Sequence, residues 1–256
     1  MRTEASERWV RGWVGSTAVV DSRHPRLFWE DGAPVPDYAY DPGEVATELL
    51  RASTTPPPTQ PWFFLPHGEV AQWYDLAVEG RLVEHAAWEL ADPAVAGRIV
   101  VSWQPGVLDR WTEEDEEVAG HPRDPHHRVD ALPSSRHVVV AVDGVVLADS
   151  HDPVVLFETR LPTRYYLPAA DVDLDRLTTS DTRSHCPYKG IADRYWNVGD
   201  PAVANVAWSY SEPKRAVESI EGRICFYNEL VDLTVDGLEV PRAVSPFSEP
   251  KHRPDS

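Results

Sequence analysis

The sequence predicts a mainly β protein made of two tandem copies of a compact antiparallel domain. Three observations carry that reading. With 24 prolines and 14 glycines in 256 residues, turns are frequent and long helices few. Between those breakers run short segments rich in Val, Tyr and Phe, the residues that suit a pleated, half-buried surface. Five blocks of the first half also reappear, in the same order, in the second.

The repeat sets the element plan. VVDSRHPRLFWED (Val19 to Asp31) matches LADSHDPVVLFET (Leu147 to Thr159) at an offset of 149 − 21 = 128. DYAYDPGEVATELL (Asp37 to Leu50) parallels RYYLPAADVDLDRL (Arg164 to Leu177), and Trp73-Tyr74 answers Tyr195-Trp196. AAWELADP answers VAWSYSEP at an offset of 208 − 88 = 120, and GRIVVSW answers GRICFYN. Residues 1–112 are then a degenerate copy and 137–244 an intact one. A linker spans 113–136, with an acidic run and HPRDPHHRVD, and 245–256 form a tail.

Within the second copy each element has a local reason. Asp143-Gly144 between Val138–Val142 and Val145–Ala148 is a two-residue hairpin signal. The continuous apolar run Val154–Glu158 reads as a strand buried on both faces. Pro162 and Pro168 hold Arg164-Tyr165-Tyr166 extended. Asp171 reads as the N-cap of one short helix over 172–177. CPYKG (Cys186 to Gly190) is a turn, and the segments 195–198, 205–210 and 223–227 close the copy as strands. The run Glu113 to Glu117 reads as a solvated face.

Charge and cysteine content narrow the function classes. Against 24 basic side chains stand 42 acidic ones, a net charge of −18. Such a surface repels phosphate backbones, so nucleic acid is not an expected partner. No apolar stretch is long enough to span a bilayer, and the N-terminus lacks the apolar core of a secretory signal. Two isolated cysteines, Cys186 and Cys225, give neither a disulfide framework nor a four-cysteine zinc site. The expectation is a reduced, cytoplasmic protein of unknown cofactor and oligomeric state.

DGVVLADS, LFETRLPTRYYLP, AADVDLDRL, HCPYKGIADRYWNV, VAWSYSEP and ICFYNELVDLTVDG together resemble the bacterial domain of unknown function 427 family. The whole chain resembles its tandem two-copy form common in actinobacteria. The resemblance implies a mostly antiparallel β domain, similar in outline to the β-tent of Mss4-like proteins. The first copy departs from it, with Pro61 to Gly68 (PWFFLPHG) where the family shows CPYKG. A nucleotidyltransferase label is attached to the family by name. That chemistry needs paired carboxylates for Mg²⁺ and a phosphate-binding Gly-Ser loop. Here Asp171, Asp173 and Asp175 sit in one copy and Gly15-Ser16 in the other.

The RYY and CPYKG turns do not recur intact, so function is expected there. Arg164, Tyr165, Tyr166, Tyr188 and Lys189 would line a pocket for a small anionic or aromatic metabolite, with cations for the anion and rings for stacking. The structural alternative is an aromatic cluster with a stacked arginine. Cys186, beside His185 and Lys189, is the candidate catalytic nucleophile, or a small residue packing its turn. Asp149 and Glu158 recur as Asp21 and Glu30 and read as fold residues. His121, Asp124, His126 and His127 are weak metal candidates at no standard ligand spacing. An enzyme acting through Cys186 or a pocket tyrosine is one alternative function. A protein-interaction module built on Trp62, Phe63 and Phe64 is another.

Overall fold

The computed structural model describes residues 1–55, 64–199, 203–249 and 253–254. The chain divides into two compact units, Met1–Asp124 and Pro125–Ser256. The first holds β1 (Arg2–Ala5), β2 (Val10–Val14), β3 (Thr17–Ser22), β4 (Arg26–Trp29), β5 (Asp37–Tyr40), β6 (Leu50–Ala52), β7 (Val70–Val78), β8 (Arg81–Leu90), β9 (Ile99–Val101), β10 (Arg110–Glu113) and β11 (Glu116–Glu117). The second holds β12 (Val129–Pro133), β13 (Val138–Val142), β14 (Val145–Ser150), β15 (Val154–Glu158), β16 (Arg164–Leu167), β17 (Leu177–Ser180), β18 (Ser184–Cys186), β19 (Gly190–Ala192), β20 (Arg194–Val198), β21 (Val203–Ser209), β22 (Ile224–Phe226), β23 (Asp232–Val235) and β24 (Leu238–Val240).

Each unit has a seven-stranded and a four-stranded sheet. In the first the orders are β1-β4-β5-β9-β8-β7-β6 and β11-β10-β2-β3. In the second they are β12-β15-β16-β22-β21-β20-β17 and β14-β13-β23-β24, with β18 and β19 as a separate hairpin. The two sets of sheets correspond strand for strand, and every named pairing is antiparallel. The mainly β expectation holds.

Local chemistry accounts for the hairpins. Asp143 and Gly144 have φ of 50° and 77°, the two left-handed residues that a type I′ turn requires, and they join β13 to β14. Val154, Val155 and Leu156 are consecutively buried, so β15 is covered on both faces there, while Phe157 is exposed. In the first unit's core Trp103 stacks on Trp111, ring centroids 4.2 Å apart, and Trp111 on Tyr40.

Two expectations need correction. No helix forms over 172–177: isolated 3-10 turns occupy Ala169–Asp171 and Leu174–Arg176, and Val172 between them is extended. Six residues are too few to repay helix nucleation. The sheet takes them instead, through a bridge from Ala148 to Val172 and the Asp173 amide on the Leu147 carbonyl at 2.8 Å. Asp171 accepts a hydrogen bond from Ser150 Oγ at 2.6 Å rather than capping a helix. The second correction concerns the acidic run. Glu114 to Glu117 are exposed, but Glu113 is buried at the end of β10. It accepts from Tyr38 Oη at 3.0 Å and the Arg123 amide at 3.1 Å, and pairs with Arg8 at 3.3 Å. Residues 129–133 form the edge strand β12, paired with β15. No helix among the described residues is long and apolar enough to cross a membrane.

Candidate functional site

Alternation along β16 sends its side chains to opposite faces. Tyr166 lies in a cluster with Leu156, Tyr195, Trp208, Tyr210, Cys225 and Tyr227, while Tyr165 packs against the other core of the unit. Arg164 shares the Tyr166 face. Its guanidinium makes two parallel bonds to Glu229, 2.7 and 2.8 Å long, and lies 5.6 Å from the Trp208 ring and 5.4 Å from that of Tyr227. Both partners are buried. Burial alone would lower the Arg164 pKa, but the hydrogen bonds and charge of Glu229 raise it. Burial likewise works to raise Glu229, and Arg164 outweighs it, so the carboxyl titrates lower than usual. Ser245 Oγ adds a third bond to Glu229 at 2.5 Å. Arg164 is thus an internal tie whose charge is already matched.

The CPYKG turn lies between β18 and β19, with Gly190 at φ 102°, a conformation that side chains disfavour. Lys189 turns inward and pairs with Glu158 at the end of β15. The other oxygen of Glu158 accepts from His127 Nε2 at 3.1 Å, and the His127 ring stacks on Tyr188 with centroids 4.2 Å apart. Burial would raise the Glu158 pKa, but Lys189 and His127 outweigh it and bring it down to about 2. Burial would lower Lys189, yet the charges of Cys186, Glu158 and Tyr166 around it hold it above its ordinary value. Cys186, half-buried, opens the same turn and pairs across it with Gly190. Cys225 is fully enclosed, and burial pushes its thiol up to about 12.

Residues 130–237 match the family model described as Domain of unknown function (DUF427). The second unit carries a DUF427 domain. No curated protein matches the chain. The DUF427 match contains Glu158, Arg164, the CPYKG turn and Glu229. His127 and Ser245, which complete the two ion networks, come from flanking segments.

Of the five residues expected to line a pocket, the DUF427 domain brings Tyr188 and Lys189 together at Glu158. Arg164 and Tyr166 lie deeper, and Tyr165 is on the other face. Glu158, expected as a fold residue, joins the network. Glu229 and His127 were not paired with these cations from sequence. The one signal for Glu229 was a carboxylate inside the mostly apolar ICFYNELV. The three aspartates of DVDLD are not gathered: Asp171 holds Ser150, Asp173 pairs with Arg176 at 2.8 Å, and Asp175 is exposed.

The weak metal candidates are each placed locally. His121 and Asp124 belong to the first unit, where His121 Nδ1 lies 2.8 Å from the Pro122 carbonyl and Asp124 accepts from Trp29 Nε1 at 3.0 Å. His127 serves Glu158, and His126 is exposed. Trp62 and Phe63 lie outside the described residues, while Phe64 packs against the first unit's core.

The first unit places different residues at the matching sheet positions. Asp37 stands at the Arg164 position and Ala39 at that of Tyr166. Glu30, the counterpart of Glu158, accepts the amides of His67 at 3.0 Å and Gly68 at 2.7 Å. A small cleft of about 30 Å³ opens there between Phe28, Glu30, Asp37 and Trp88. Burial, with a smaller push from Glu30, holds the Asp37 carboxyl well above the usual carboxylate range. Among the described residues the buried Trp88 indole N–H finds no hydrogen-bond partner.

Proposed function

We propose that the DUF427 domain binds a small anionic or aromatic metabolite at the mouth of the CPYKG turn. Tyr188 and His127 would offer a ring face, Cys186 the wall, and the Lys189–Glu158 pair a polar floor. Arg164 and Glu229 brace this site from within and do not touch the ligand.

One observation carries the reading: the first unit has the same strand order with Asp37 in place of Arg164, and among the described residues Glu30, in place of Glu158, accepts backbone amides rather than a cation. Burying the second unit's two ion pairs costs desolvation that their attraction barely repays, so they are weak contributors to stability. A fold that does not need them keeps them for another purpose: Lys189–Glu158 holds the half-buried CPYKG turn, and Arg164–Glu229 lies against Trp208 and Tyr227 of the aromatic cluster. The same correspondence, with the five sequence blocks, supports reading the chain as a duplication of one β-tent module, and the two free cysteines accord with a reduced, cytoplasmic setting.

The test is a thermal-shift screen of small carboxylates, phosphates and aromatic acids on the full chain, repeated on Tyr188→Leu and His127→Gln. A ligand at 100 times its Kd adds about 2.7 kcal/mol to the native state. The reading expects hits whose shift is lost in both variants. Hits that stabilise wild type and both variants equally would overturn it.

A catalytic reading of the same site would use Cys186 as nucleophile, favoured by its place beside the Lys189 ammonium. Alkylation rates at graded pH decide it. A rate already level near neutrality supports a thiolate nucleophile, whereas one that climbs through about pH 8.5 removes it.

A further inference from the structure

On the exposed face of β13 and β14, in a different sheet from the CPYKG hairpin, three potential metal ligands meet. His137 immediately precedes β13, Asp149 lies in β14, and His151 follows it. The register pairs Val138 with Ser150 and Val139 with Asp149. Alternation then puts residues 137, 149 and 151 on the side opposite the buried Val138 and Ser150. His137 Nε2 lies 2.6 Å from Asp149 Oδ1, and the two imidazoles stack at 4.1 Å, tilted by 11°. One ligand atom from each of the three residues falls within 4.8 Å of the others.

The first unit supplies the comparison. Its matching residues are Trp9, Asp21 and Arg23. Trp9 Nε1 donates to Asp21 Oδ1 at 2.6 Å, and the Arg23 guanidinium covers the Trp9 ring at 4.1 Å. That aromatic, carboxylate and cation stack holds the hairpin by the same geometry but contains no second or third metal ligand. In the DUF427 domain both non-carboxylate members are imidazoles, and structural packing alone does not require that exchange.

We propose that His137, Asp149 and His151 bind a divalent first-row transition metal of the zinc class. Two imidazoles and one carboxylate suit Zn²⁺, Cu²⁺ or Ni²⁺ and not Mg²⁺ or Ca²⁺, which take all-oxygen shells. Ligands at about 2.0–2.2 Å from zinc stand roughly 3.3–3.5 Å apart. Modest rotation of three accessible side chains reaches that spacing, with the His137–Asp149 hydrogen bond exchanged for metal bonds. Three protein ligands leave at least one position for water or another ligand.

The experiment is a Zn²⁺ titration of the tag-free full chain in competition with a chromogenic chelator, with Mg²⁺ as a second probe. The comparison variant is His137→Trp with His151→Arg, which installs the first unit's arrangement and so preserves the fold. Wild type is expected to draw one more equivalent of Zn²⁺ than the variant, and to ignore Mg²⁺. Asp149→Asn alone is expected to weaken that equivalent by about tenfold or more. A variant that takes as much Zn²⁺ as wild type, with affinity within about twofold, overturns the site. So does a wild-type chain that takes none.

Discussion

Trp208 gives its indole N–H to the hydroxyl of Tyr166 at 3.2 Å, deep in the second unit. At the matching sheet positions the first unit has Trp88 and Ala39, and among the described residues the Trp88 N–H finds no acceptor. One residue on one strand therefore decides whether a buried donor is satisfied. Tyr166→Phe is expected to reproduce the unsatisfied state at a cost of about 1–3 kcal/mol. Amide exchange of β16 and β21 reads the loss directly. An unchanged exchange rate would mean that water already serves the indole.

Breaking the Arg164–Glu229 pair from one side is expected to be severe. Arg164→Met leaves a carboxylate with almost no exposed surface and no cation, a loss of about 3–5 kcal/mol. Replacing both partners, as Arg164→Met with Glu229→Leu, removes both charges and should recover most of that. Urea unfolding followed by circular dichroism compares the three proteins. A double variant no better than the single one would show that the residues act through different neighbours.

The Lys189–Glu158 pair has a pH signature. Glu158 titrates lower in the folded chain, at about 2, than an unfolded glutamate at about 4.3. Its stabilisation is therefore present above pH 4.3 and lost as pH falls toward 2. Lys189→Met removes the first cation holding the carboxylate ionised, so Glu158 takes up a proton at higher pH. The variant's deficit in melting temperature should be largest near pH 7 and shrink below about pH 4. A deficit independent of pH would assign Lys189 a packing role.

The two thiols should separate by access. Cys186 is half-buried and Cys225, on the middle strand β22 of its sheet, is fully enclosed. Ellman's reagent is expected to modify one thiol in the native chain and the second only in denaturant. Cys186→Ser should abolish the native reaction. Two thiols reacting together without denaturant would mean that β22 opens readily.

Much of this architecture was legible because it rests on local rules. Asp143-Gly144 names its own turn, and the Val154–Leu156 run its own burial. The helix over 172–177 was misread because its spacing competes with a tertiary bridge that periodicity cannot register. The RYY motif was read as one surface, yet a strand must split it between two faces. Its charges were read as available because Glu229 lies 65 residues from Arg164 and Glu158 lies 31 from Lys189. Neighbours so distant in the chain leave no mark on local spacing. The His137–Asp149–His151 group escaped notice for the related reason that it depends on strand register, even though all three residues fall within fifteen positions.

The stacked Trp103 and Trp111 belong to a chain whose tryptophans are unevenly placed. Eight of the ten precede Pro125, and only Trp196 and Trp208 follow it. Ultraviolet-excited emission is therefore mostly a signal from the first unit. An unfolding curve recorded by indole fluorescence could pass through the collapse of the DUF427 domain almost unmoved. Six of the nine tyrosines lie after that boundary, so absorbance near 280 nm and fluorescence emission will weigh the two halves differently.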